Sequence, residues 1–98
     1  MAAPDPNAKT RVHIWVQGRV QGVGFRAFVI NNAFLLGLKA WARNFGYDRV
    51  EIAAEGSRPV LEKFAGIVVA GPRAAYVEDS SVEWETPTGR FDDADSST

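Results

Sequence analysis

Between Arg11 and Glu85 the spacing of apolar residues switches repeatedly between two residues and about three and a half. That alternation of period separates strands from helices before any other property is considered. Val12, Ile14 and Val16 alternate with Arg11, His13 and Trp15, and Gln17 follows, which predicts a strand over 11–17 with one strongly apolar face. Residues 25–36 carry Phe25, Phe28, Val29, Ala33 and Leu36 at helical spacing, with Gly37 as a stop signal. Leu38, Ala40 and Ala42 then alternate with Lys39, Trp41 and Arg43. Val50, Ile52 and Ala54 alternate with Arg49, Glu51, Ala53 and Glu55. Phe45-Gly46-Tyr47-Asp48 lies between these two runs, so they read as a β-hairpin.

Pro59 suits the first turn of a second helix, where its missing N–H costs nothing. Leu61, Phe64 and Val68 give that helix its apolar stripe. Gly66 within it costs about 1 kcal/mol relative to alanine. Gly71-Pro72 ends it, and a last strand is expected over Ala75–Glu85, anchored by Val77 and Val82. The order βαββαβ predicts an α+β fold of the ferredoxin-like split βαβ kind, a four-stranded antiparallel sheet with two helices on one face. That fold hosts unrelated functions, so function must be read from particular side chains.

A chain of 98 residues fits one domain. At this size about 60–70% of the unfolded surface is hidden on folding, enough for a core without disulfides or metal. Residues 1–10 and 92–98 are polar or proline-containing and are expected to be flexible tails around a domain spanning 11–91. A net charge of −1 argues against polyanion binding as the main role. The absence of cysteine excludes thiolate chemistry, and the single histidine, His13, excludes a multi-histidine site. His13 reads as an ordinary strand residue. The N-terminus has no apolar signal region, and no apolar run approaches the ~20 residues of a membrane span. A cytoplasmic monomer is the expectation.

Gly18 to Arg26 is the segment that can carry chemistry. It joins a strand to a helix, and its glycines let backbone N–H groups converge on an anion. The helix that follows aims its N-terminal dipole at the same place. Arg26 near that terminus is unfavourable for helix stability alone, but a bound phosphate would reverse the sign. On these residues two readings stand, an anion cradle or a glycine-rich turn beside a solvated arginine. No Gly-Lys-Ser/Thr follows, so this is not a Walker loop, and the spacing is not that of a dinucleotide-binding fingerprint. Asn44 alone reads as a turn residue at a strand end.

Gly18-Arg19-Val20-Gln21-Gly22-Val23-Gly24-Phe25-Arg26 resembles the acylphosphatase signature Gly-x-Val-Gln-Gly-Val-x-Phe-Arg at every fixed position. Ala33-x-x-Leu36-Gly37-Leu38-x-x-Trp41-x-Arg43-Asn44 resembles that family's second block, and Gly71-Pro72 to Val77 its late segment. The resemblance covers residues 10–86. It implies hydrolysis of the carboxyl–phosphate bond of acyl phosphates, with no metal, no cofactor and no covalent enzyme intermediate. It implies that Arg26 holds the phosphate and that backbone amides of Arg19, Val20, Gln21, Gly22, Val23 and Gly24 cradle its oxygens. Asn44 would orient the attacking water. Two departures stand out: Ala40-Trp41-Ala42 replaces the family's usual Gly-Trp-Val, and Tyr47-Asp48 replaces its usual Asp-Gly turn. Gly46 is then the residue expected to supply positive φ.

Two other readings use the same pattern. RNA-recognition motifs share the element order, and Arg43-x-Phe45-Gly46-Tyr47 weakly resembles their aromatic motif, with Trp15, Phe45 and Tyr47 as base-stacking rings. Asp48 stands where an apolar residue is expected there, and the chain is slightly acidic. Similar domains also open large carbamoyl-transfer proteins that mature hydrogenases, and the short acidic tail after Arg90 favours a stand-alone enzyme.

Overall fold

The computed structural model describes residues 8–87. Its elements are β1 (Lys9–Arg19), α1 (Phe25–Leu35), β2 (Lys39–Phe45), β3 (Arg49–Ser57), α2 (Arg58–Ala70) and β4 (Tyr76–Glu85). The strands form one antiparallel sheet in the order β2-β3-β1-β4. The ferredoxin-like arrangement expected from the alternating periods is therefore present. β1 starts two residues earlier and ends two later than the side-chain pattern indicated, because backbone pairing with β3 and β4 continues past the apolar run. Of the expected tails, residues 1–7 and 92–98 lie outside the described residues, while Ala8 forms a bend and Lys9 and Thr10 belong to β1, where pairing with β3 orders them.

Register decides which residues form the core. Val12, Ile14 and Val16 lie beside Ala54, Ile52 and Val50, and all six are buried. Phe25, Val29 and Ala33 of α1 and Leu61, Phe64, Ala65 and Val68 of α2 pack onto this same face. Both helices therefore cover one side of the sheet. Pro59 sits in the first turn of α2, as its chemistry requires.

One expected anchor is wrong. Val77 packs against the core, but Val82 is 37% exposed and is not part of the core cluster. Val82 lies opposite Ile14 on the helix side of an edge strand. Alternation told which way it points but not whether a helix covers it. The packing comes instead from Trp84, whose ring lies 3.6 Å beneath the Arg58 guanidinium at the start of α2.

The other face of the sheet carries a polar lattice that alternation alone does not reveal. Glu51 and Glu55 of β3 are buried. Arg43 Nε donates to Glu51 at 2.7 Å, and Arg11 Nη1 donates to Glu55 at 3.0 Å. His13 joins this lattice, with Nε2 2.6 Å from Glu51 and Nδ1 3.1 Å from Glu85. All four strands are linked side chain to side chain, and the buried carboxylates are satisfied. Trp41 is buried on this face against Ala53, with Arg43 4.7 Å above its ring.

Candidate active site

The end of β1 and the start of α1 are brought close to the β2–β3 turn by backbone geometry. Gly18 has φ +135°, and a Cβ there would stand 2.3 Å from the Tyr76 carbonyl oxygen. Only glycine fits this approach. The β1–β4 register shifts at Gln17/Gly18, and the Gly18 N–H donates to the Asp48 carbonyl at 2.9 Å. The chain then turns through Gly22 and Gly24, both at positive φ, into α1.

Gly24 is the N-cap of α1. No side chain among the described residues caps the helix there, and its first turn holds no acidic residue. The first N–H groups of a helix have no partner within it, and they carry the positive end of its dipole. They face a cavity of about 250 Å³ lined by Val20, Gln21, Gly22, Gly24, Phe25, Arg26, Ala27 and Asn44. Buried Phe25 and Val20 form its floor and tie it to the core.

Arg26 and Asn44 are far apart in sequence yet line this one cavity. Among the described residues neither side chain has a hydrogen-bonding or ionic partner. Both are therefore available to a ligand. Arg19, which ends β1 opposite Tyr76, and Val23, which packs against the core, are not among the residues that line the cavity.

The β2–β3 turn consists of Gly46, Tyr47 and Asp48 between paired Phe45 and Arg49. Gly46 has φ +66° and is the positive-φ residue of this turn, as its place in the sequence suggested. Asn44, paired with Val50, stands two residues before it on an edge strand.

A wider hollow of about 430 Å³ lies on the polar face, lined by Trp15, Phe45, Arg49, Asp79 and Glu83 among others. Its carboxylates oppose a phosphate, so the smaller cavity is the better anion site. The rings of Trp15 and Phe45 meet edge to face at 5.3 Å rather than forming a parallel base-stacking platform. Tyr47 projects into solvent from the turn. Acidic Glu51, Glu55, Glu83 and Glu85 share that face, which does not favour RNA.

Residues 12–95 match the family model described as Acylphosphatase. The chain belongs to the acylphosphatase family. It is similar to an acylphosphatase of Trichormus variabilis, 49% identical over 79 residues that cover 81% of this chain and 78% of that one. Its fold is similar to the crystal structure of acylphosphatase from Bacillus subtilis, with a TM-score of 0.78 and 39% identity, covering 84% and 91% of the two chains. It is also similar to part of full-length HypF, solved in a phosphate- and nucleotide-bound form. There the TM-score is 0.77 and the identity 26%, over 88% of this chain and 11% of that one. Acylphosphatases hydrolyse acyl phosphates, so the reaction class expected from the Gly18–Arg26 signature is that of the family.

Proposed function

We propose that this acylphosphatase binds the phosphoryl group of a small acyl phosphate in the cavity at the start of α1, with Arg26 and Asn44 in separate roles. The observation that carries this is the meeting of two side chains, a guanidinium and an amide, that have no partner among the described residues, at a helix N-terminus that no described side chain caps. Arg26 holds two phosphate oxygens with its planar fork. Backbone N–H groups from the 19–24 segment and the first turn of α1 receive the remaining charge.

Asn44 orients the attacking water. Its amide can accept one hydrogen bond and donate another without adding a negative charge that would repel phosphate. The water oxygen forms a bond to phosphorus as the bond from phosphorus to the acyl oxygen breaks. The electron pair leaves on the carboxylate, and the water's proton passes to phosphate or solvent. A carboxylate is a good leaving group, so no strong general acid is needed. Phosphoryl transfer rests mostly on positioning and charge stabilisation. No metal or cofactor enters the scheme. We extend the proposal to action as a monomer in a cytoplasmic setting.

Asn44→Ala separates the two roles. The expected result is a fall in kcat of about 100-fold, with the inhibition constant of inorganic phosphate nearly unchanged. Equal losses in turnover and phosphate binding would contradict the division.

A further inference from the structure

The Gln21 side chain does not point at a phosphate. Its Nε2 donates to the carbonyl of Gly46 at 3.0 Å and to the carbonyl of Arg49 at 3.0 Å. Both hydrogens of one amide group are therefore spent on the two ends of the β2–β3 turn. Gln21 belongs to the loop that carries the anion cradle, and Gly46 lies two residues beyond Asn44. From these contacts we propose that Gln21 is a positioning residue, a clasp that sets Asn44 against the phosphate cradle. The proposal rests on the roles given above to Asn44 and the cradle.

Three features make the clasp necessary. Asn44 lies on β2, an edge strand paired on one side only, and near its end. Its own side chain makes no hydrogen bond among the described residues that would hold it. The other ties to the turn, Gly18 N–H to the Asp48 carbonyl and Gln17 Nε2 to the Asp48 carboxylate at 3.2 Å, come from β1 rather than from the cradle loop. Gln21 alone among these joins the loop to the turn. Displacing a water-orienting group by about 1 Å can cost two orders of magnitude in rate. Glutamine is suited to this because one –NH2 supplies two donors. Glutamate would set oxygens against two carbonyl oxygens, and asparagine is one carbon shorter.

Gln21→Met keeps the length and removes both donors. The expected result with benzoyl phosphate is a kcat lower by roughly 10- to 100-fold, the range for groups that orient a reacting residue. The inhibition constant of inorganic phosphate should stay within about twofold. In an Asn44→Ala background the same substitution should cost less than about twofold, because the residue it positions is gone. Backbone amide exchange at Gly18, whose N–H bonds to the turn, should quicken in Gln21→Met with no substrate present. A wild-type-like kcat, or an equal loss in the Asn44→Ala background, would overturn the clasp. Unchanged amide exchange would overturn it too, whether or not the wild type hydrolyses benzoyl phosphate. An inactive wild type with faster exchange in the variant would leave the clasp standing and count against the assigned reaction.

Discussion

Arg26 shows how a residue that is poorly placed for stability can be well placed for chemistry. A cation at a helix N-terminus opposes the dipole, by about 0.3–1 kcal/mol at an exposed site. Nothing among the described residues repays this, since Arg26 has no ionic partner there. Arg26→Ala is therefore expected to leave the urea midpoint unchanged or slightly raised while kcat/KM falls by roughly 100- to 1000-fold. Arg26→Lys should recover little, because an ammonium is a point charge and cannot grip two oxygens in one plane. Parallel kinetics and urea denaturation check both. A large loss of stability in Arg26→Ala would show that the residue serves the fold. Arg26 could be singled out as a candidate from the glycine-rich segment it ends. Its meeting with Asn44 could not be read there, because no period in the sequence reports that β2 ends beside the start of α1; the family resemblance supplied that pairing. The Gln21 side chain escaped notice as well, since its partners are backbone carbonyls that exist as a pair only once the turn has closed.

At the scale of elements, side-chain period told which way each strand residue points, and the core of β1 and β3 followed from it. It could not report what lies above a residue, which is why Val82 was misread as an anchor and why Trp84, expected to pack, was not matched with Arg58 as its partner. The polar lattice of Arg11, His13, Arg43, Glu51, Glu55 and Glu85 was equally hidden, because it depends on register across four strands. Two glycines show how contacts decide what a sequence position tolerates. A Cβ at Gly18 would strike the backbone of Tyr76 and Glu78, at a φ that L-residues rarely adopt. A Cβ at Gly56 would meet only the Leu38 side chain, chiefly its Cδ2 methyl, the far end of a side chain that can rotate. Gly18→Ala should therefore cost more than about 2 kcal/mol, and Gly56→Ala about 1 kcal/mol or less. Urea unfolding of the pair measures the difference, and equal costs would mean that Gly18 is less constrained than its geometry indicates.

Across the whole molecule the two faces of the sheet divide the labour. One is closed by both helices and holds the core that fixes Phe25 and Val20 beneath the cavity. The other is held by ion pairs between strands. The cavity sits where the loop leaving β1, the first turn of α1 and the end of β2 converge, so its groups come from separate elements tied to one sheet. With the roles proposed for Arg26 and Asn44, such a site would offer positioned charge and a positioned water, which suits an activated phosphate and not an unactivated phosphate ester. Hydrolysis of benzoyl phosphate by the wild-type protein, beside p-nitrophenyl phosphate and with EDTA present, tests this most directly. The account predicts rapid cleavage of the acyl phosphate alone, undiminished by the chelator. Cleavage of both substrates alike, or activity lost to EDTA and restored by Mg²⁺, would contradict it.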